Sequence, residues 1–103
     1  MVPAASVSPE HFALAASTVK AGEPVALVFP EPLKANKGEQ YWAAIVAVGK
    51  PDSEWGEWAY VPQSARKMTL KAPADPGEYE VRLHGNYPTK SYNVVHRVRI
   101  RVD

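Results

Sequence analysis

The sequence predicts an all-β fold in which about seven short antiparallel strands form two packed sheets. Ten prolines and six glycines fall between short apolar runs rather than inside one long periodic segment. This distribution favours strands and turns over helices. The clearest strand is the last one, because apolar and charged side chains alternate with a period of two through residues 93–102.

The remaining strands are expected between segments rich in turn-forming residues. In chain order, strands are predicted at residues 11–16, 24–30, 41–48, 55–61, 67–72, 78–84 and 93–102. The polar, proline-containing segment 30–39 is expected to be a loop. Gly56 is interpreted as a bulge or a close approach of two backbones. The last two strands are expected to pair as a hairpin.

Length, charge and hydropathy exclude several classes of protein. The 103 residues, 46% of them hydrophobic, predict one domain with one core over residues 1–103. Twelve basic and eleven acidic residues leave a net charge of +1, so no overall field favours nucleic acid. No apolar run approaches the roughly 20 residues that span a membrane, and membrane insertion is not expected. Residues 1–10 lack the features of a signal peptide and are expected to be a flexible or edge-strand N-terminus.

The residue types and their spacing do not predict a metal site or redox chemistry. The chain has no cysteine, which excludes disulfides, thiolate metal sites and a cysteine nucleophile. Strand alternation places His96 on the apolar face of its strand and His84, with Arg82, on the polar face of the preceding strand. The three histidines, His11 included, are therefore interpreted as surface or satisfied side chains, and no metal or other cofactor is predicted.

Catalytic motifs are also lacking. Asp52, Glu54 and Glu57 do not have the spacing of a calcium-binding loop and are interpreted as a solvated turn. Ser53 and Ser64 lie in predicted turns, as does a third serine at position 91, without a nucleophile elbow or a His–Asp pair to activate them. The sequence therefore predicts that the protein is not an enzyme.

Four segments, at residues 19–25, 41–46, 55–60 and 72–83, carry a family resemblance. They resemble bacterial immunoglobulin-like domains that are appended to larger exported or surface proteins, and more distantly the SKICH-type sandwiches of eukaryotic adaptors. The sharpest element runs from Asp75 through Gly77 to Tyr79 and matches a tyrosine corner, in which the hydroxyl bonds to upstream backbone.

The resemblance implies an immunoglobulin-like or fibronectin-III-like Greek-key sandwich. Because the inter-sheet disulfide of antibody domains is absent, Trp42 is expected to pack in the core on aliphatic neighbours such as Ala44 and Val46. The resemblance to appended bacterial domains favours an exported or cell-surface location. A cytoplasmic adaptor fits the absence of cysteine equally well.

Aromatic side chains are the first candidate binding residues. Period two puts Trp58 and Tyr60 on one strand face and Trp55 on the other, so one face is expected to be partly exposed. Tyr87 and Tyr92 add aromatic surface at one end of the sandwich. These five residues are candidates for protein or sugar recognition, and packing inside the domain is the alternative.

A cationic stripe on the last strand is the second candidate. Arg97, Arg99 and Arg101 face the same way and could form a ridge for phosphate, sulphated glycan or an acidic partner. The alternative is a structural role, because Glu78 and Glu80 are expected on the neighbouring strand. Opposite charges across strands stabilise a sheet by about 0.2–1 kcal/mol per pair.

Two functions follow from these candidates. The first is a non-catalytic module that mediates protein–protein contact through an aromatic face or by strand addition at a sheet edge. The alternative is a carbohydrate-binding module, which requires at least two coplanar, exposed rings flanked by polar groups such as Asn86, Lys90 or Glu57. A protein partner is therefore expected, a glycan is the alternative ligand, and nucleic acid is not expected.

Overall fold

The structure is a computed structural model that describes residues 12–35 and 37–103. The described chain contains no helix and eight strands: β1 (Ala13–Leu14), β2 (Thr18–Val19), β3 (Pro24–Val28), β4 (Gln40–Ala47), β5 (Glu57–Tyr60), β6 (Lys67–Lys71), β7 (Gly77–Tyr87) and β8 (Val94–Val102). Residues 1–10 and His11 lie outside the described residues. Across these two ranges, no helix is long and apolar enough to cross a membrane.

The strands form two sheets packed as a sandwich, which confirms the predicted all-β fold class. The smaller sheet has the order β1-β3-β6, and the larger sheet has the order β2-β8-β7-β4-β5. The predicted hairpin of the last two strands is confirmed, with Gly77 opposite Val102. The described residues between β3 and β4 form no strand, as expected for the segment 30–39.

Two details of the predicted topology are wrong. The N-terminal segment forms two strands of two residues each, because the chain pairs with β3 at Ala13 and then crosses to the larger sheet at Thr18. There β2 runs parallel to β8, with Thr18 opposite Arg101, so the sandwich is not wholly antiparallel. Strands this short carry too few residues for a period of two to be visible in the sequence.

The core lies between the sheets and is built from alternate residues of the long strands. Period two sends one set of side chains from each strand inward, and the aliphatic members of that set are almost completely excluded from solvent. They include Val25, Leu27, Ala43, Ile45, Leu70, Val81, Leu83, Ile100 and Val102. Burying a side chain of this kind contributes about 1.5–3 kcal/mol relative to leaving it exposed.

The opposite side of the larger sheet, called the outer face below, is also buried along β4 and β7. Arg82 is 1% exposed and His84 is 0% exposed, which corrects the expectation that this row of β7 is a polar surface. The reason is that the carbonyls of Lys50 and Pro51 accept hydrogen bonds from Arg82, and the Trp42 ring stacks on His84. Alternation identifies the side on which a residue lies, but it does not reveal what covers that side.

Candidate functional site

A groove of about 280 Å³ opens on the outer face of the larger sheet. Six aromatic side chains and one serine line it: Trp42, Trp55, Trp58, Tyr60, Tyr87, Ser91 and Tyr92. All three tryptophans of the chain are in this set, as are the five aromatic residues named from the sequence. We call this feature the aromatic groove. It unites two sets of candidate residues that are far apart along the chain. The first set is Trp55, Trp58 and Tyr60, and the second is Tyr87 and Tyr92.

Strand register explains how the first set assembles. In the pairing of β4 with β5, Trp42 lies opposite Tyr60 and Ala44 lies opposite Trp58. Residues that are directly opposite share a face of the sheet, so both aromatic residues of β5 project on the side of Trp42. The Trp58 and Tyr60 rings meet edge to face with their centres 5.0 Å apart.

Trp42 forms the floor of the aromatic groove. Its indole stacks on the His84 imidazole at a centroid distance of 3.9 Å and an interplanar angle of 5°. The rings of Trp58 and Tyr92 approach it edge to face at 5.9 and 6.2 Å. Trp42 is buried, as expected, but it lies on the outer face rather than in the core between the sheets. It packs on rings, so the expectation that its packing partners are aliphatic is wrong.

Trp55 lies beside Trp58, and its predicted position on the opposite face is wrong. The two ring centres are 6.4 Å apart at an angle of 84°. Trp55 precedes β5, which begins at Glu57, so strand alternation does not govern it. A Cβ atom on Gly56 would lie 2.7 Å from the Ile45 carbonyl oxygen, which confirms the predicted close approach of two backbones at this glycine.

The second aromatic set lies at the end of β7 and in the loop that follows. Asn86 adopts a left-handed backbone conformation, with φ of 62°, and its carbonyl accepts a hydrogen bond from the Lys90 amide at 2.7 Å. The side chain of Asn93 donates to Asn86 at 2.9 Å, and Asn86 donates to Glu39 at 3.1 Å. These bonds fix the loop that carries Tyr92. Asn86, expected as a polar neighbour of a sugar, is used inside the protein.

The sequence interpretation missed Trp42 as a residue of the site, and it also missed the supporting residue Arg82. Its Nε donates to the Glu80 carboxylate at 2.8 Å, and its Nη1 donates to the Pro51 carbonyl at 2.7 Å. Its Nη2 donates to the Lys50 carbonyl at 2.5 Å. Arg82 therefore ties the segment before Trp55 to the sheet. The available signal was a Glu and an Arg two positions apart, which lie on the same strand face.

Two titratable groups in and below the aromatic groove have shifted pKa values. Burial, followed by the positive charge of Arg82, lowers the pKa of His84 to about 4. His84 is therefore neutral at pH 7. Both of its ring nitrogens and Trp42 Nε1 lack a hydrogen-bond partner in the described structure. Partial desolvation and then the neighbouring Tyr87 hydroxyl raise the pKa of Tyr60, so this phenol keeps its proton.

The arginine stripe lies outside the aromatic groove and is largely engaged in ion pairs. Arg97 contacts Asp52 at 3.1 Å and Glu80 at 3.3 Å. Arg101 contacts Glu78 at 3.5 Å, which is a cross-strand pair of the expected kind, and Asp103 at 3.0 Å. No ion pair of Arg99 is present in the described part of the chain.

His84 and His96, the two histidines that the structure describes, lie in different surroundings. His84 stacks on Trp42, whereas His96 packs edge to face on Phe12 at 4.8 Å, so their predicted positions on opposite faces are confirmed. Within residues 12–35 and 37–103, no three His, Asp or Glu side chains lie together in a way that could hold a metal ion. His11 is outside these ranges.

Fold and groove together define a class of protein: a small all-β sandwich that presents a preformed aromatic groove on its larger sheet. In comparisons with known proteins, the chain matches no protein-family model and no curated sequence. The residues of the groove are therefore the basis for inferring a function.

Proposed function

We propose that this domain is a non-catalytic interaction module that binds a protein partner through the aromatic groove. One observation carries the proposal: four large aromatic side chains in the groove are 42% to 54% exposed, namely Trp55, Trp58, Tyr60 and Tyr92. Contiguous exposed apolar surface marks interaction sites in monomeric proteins. Trp and Tyr are also the residues most enriched among those that dominate the binding energy of interfaces.

The groove is held in place before any ligand arrives. On one side Arg82 fixes the segment at Lys50 and Pro51. On the other side the contact between Asn93 and Asn86 fixes the loop that bears Tyr92. A site that is already ordered loses less conformational entropy on binding, and more of the contact energy then contributes to affinity.

Ring orientation favours a protein partner over the alternative, a carbohydrate. A flat sugar-binding platform requires at least two exposed rings that are coplanar. The exposed neighbours Trp55 and Trp58 meet at 84°, and Trp58 and Tyr60 meet at 83°. Neighbouring exposed rings therefore stand edge to face and do not form one flat surface.

The arginine stripe is not included in the proposed binding surface. Arg97 and Arg101 use their guanidinium groups to contact acidic side chains of the same domain. Arg99 is exposed, makes no ion pair among the described residues and lies outside the groove. It is therefore a suitable control position.

The proposal also includes a parent protein. The hydroxyl of Tyr79 donates to the Asp75 carbonyl at 2.8 Å, which supports the tyrosine corner implied by the resemblance to bacterial immunoglobulin-like domains. We therefore propose a unit of a larger bacterial protein that is exported or displayed at the cell surface.

Site-specific photocrosslinking tests the proposed function. A photoreactive phenylalanine analogue in place of Tyr92 is expected to capture a partner protein from cell extract, and the purified partner is expected to bind the unmodified domain. Trp58→Ala should abolish capture, whereas Arg99→Ala should retain it, after circular dichroism has shown that both variants fold.

A glycan array run with the same variants separates the alternatives. Glycan binding that is lost in Trp58→Ala, without a captured protein, would replace the proposal by the carbohydrate function. A domain that binds neither class of ligand, or whose binding is unaffected by Trp58→Ala, would overturn the proposal.

A further inference from the structure

The walls of the aromatic groove carry no formal charge. They consist of three tryptophans, three tyrosines and Ser91, so a charged ligand finds no oppositely charged partner in the lining. Aromatic faces attract cations, but the guanidinium of Arg82 lies behind the floor beside His84 and contributes, after burial, to the lowered pKa of that histidine. Because Glu80 pairs with Arg82 at 2.8 Å, the groove presents neither a free cation nor a free anion to a ligand. The groove therefore fits an uncharged one.

The hydrogen-bonding groups of the lining can serve a ligand that offers only acceptors. The hydroxyls of Tyr87, Tyr92 and Ser91 can donate or accept, and an indole N–H only donates. A ligand with many acceptors and few donors therefore fits the lining. A run of prolines has this property, because each residue retains its carbonyl and lacks the backbone N–H.

The shape of the groove agrees with this chemistry. Trp58 meets Trp42 at 80°, Trp55 at 84° and Tyr60 at 83°, so the contacting rings stand edge to face and the groove has a ridged surface. A compact pyrrolidine ring can pack on the exposed aromatic faces of such a surface. The groove has a volume of about 280 Å³, and sites that enclose a drug-sized ligand have volumes of about 300–1,000 Å³. A groove of this size suits a few side chains of a longer segment.

We propose that the aromatic groove binds a proline-rich protein segment in the polyproline II conformation. Such segments are extended before binding, with about 3 residues per turn and a rise of about 3.1 Å, and they dock in aromatic-lined grooves at low entropic cost. This inference rests on the proposed function, because it names the chemistry of the protein partner.

Intrinsic fluorescence provides a direct test. All three tryptophans line the groove, so their emission reports on this site. Titration of the purified chain with an end-blocked polyproline peptide is expected to give a saturable change in emission. A glycine–serine peptide of the same length should give none. Because the lining is uncharged, affinity for polyproline should change less than about twofold between about 0.01 and 1 M salt.

Variants on two different elements locate the binding. In anisotropy titrations with a labelled polyproline peptide, Trp58→Ala on β5 and Tyr92→Ala in the β7–β8 loop should each weaken affinity at least about tenfold. Arg99→Ala should leave affinity unchanged. If Trp58→Ala fails to fold, Tyr92→Ala decides the question, because position 92 lies outside the strands and is 46% exposed.

The inference and the proposed function can fail separately. If the Tyr92 photocrosslink captures a partner but polyproline does not bind, the polyproline inference is overturned and the interaction module stands. Equal binding of the glycine–serine peptide, or full affinity in both aromatic variants, would also overturn the inference. If neither a partner nor polyproline binds, both proposals are wrong.

Discussion

Strand β7 has two buried faces with opposite chemistry. Val81 and Leu83 point into the core between the sheets, and Arg82 and His84 point to the outer face, yet none of the four is more than 1% exposed. The inner pair is stabilised by non-directional apolar contact. The outer pair depends on hydrogen bonds, an ion pair and ring stacking. Equal burial therefore does not imply the same kind of stabilisation.

The difference matters because the aromatic groove is built on the outer face. Apolar packing tolerates changes of pH and salt, whereas buried polar groups are sensitive to the loss of one partner or to a change of protonation state. The core keeps the two sheets together. The polar pair below the groove sets the position of Trp42 and of the segment that carries Trp55. Substitutions at four positions of β7 test this division.

The largest effect is expected from Arg82→Ala, with Leu83→Ala as its inner-face counterpart. Removal of Arg82 leaves Glu80 buried with only Arg97 as a partner and removes the donors to Lys50 and Pro51. Breaking a buried ion pair in this way costs about 3–5 kcal/mol. Leu83→Ala should cost about 2–5 kcal/mol because it creates a cavity. Urea unfolding at pH 7 measures both.

Arg82→Ala and Leu83→Ala should differ in their effect on the structure of the groove. Arg82→Ala should also release the segment before Trp55, and the near-ultraviolet circular dichroism of the tryptophans should change under native conditions. Leu83→Ala should preserve that signal. Arg99→Ala, at an exposed position, should stay within about 0.5 kcal/mol of the parent chain. An Arg82→Ala variant as stable as Arg99→Ala would contradict the role given to Arg82.

The next effect is a dependence of stability on pH that arises from His84. Its pKa is 6.5 in the unfolded chain and about 4 in the folded protein, so between these values the unfolded state binds a proton that the folded state does not. The contribution of neutral His84 to the free energy of unfolding is fully present above pH 6.5 and is lost as the pH falls toward 4. The loss amounts to at most about 3 kcal/mol.

His84→Phe should remove this dependence. Phenylalanine keeps a ring stacked on Trp42 and eliminates two nitrogens that have no hydrogen-bond partner in the described structure. Urea midpoints at pH 7 and about 4.5 should differ less in His84→Phe than in the parent chain. Arg99→Ala, at an exposed position on the neighbouring strand, is the control and should retain the dependence of the parent. An identical acid loss in the parent chain and His84→Phe would exclude His84 as its source.

The sequence predicts the fold class because the signals that specify it are local. Alternation over β8 and the turn residues around Gly77 determine strands and a hairpin without knowledge of the rest of the chain. The same reasoning names five of the six aromatic residues of the groove, since Trp and Tyr are conspicuous in any chain, but it assigns the sixth, Trp42, to the core. It also anticipates the close approach at Gly56.

The site itself depends on contacts that local patterns do not contain. Period two places Arg82 and His84 on one face of β7, but whether that face meets water depends on a segment about thirty residues earlier in the chain. For the same reason, the position of Trp55 follows from the path of a loop rather than from alternation. The candidate residues could therefore be predicted, whereas their arrangement and the supporting Arg82 could not.

The smallest effect is expected at Tyr79, near the start of β7. Tyr79→Phe retains the ring against the core and removes only the 2.8 Å hydrogen bond to Asp75, which should cost about 1 kcal/mol in urea unfolding. Tyr79 does not line the groove, and it lies eight positions before Tyr87 along the strand, or about 27 Å. Polyproline affinity and the tryptophan bands of the near-ultraviolet spectrum should therefore remain those of the parent chain. If Tyr79→Phe weakened ligand binding, the two ends of β7 would be coupled, and the division between a core that holds the sheets and a polar face that shapes the groove would be wrong.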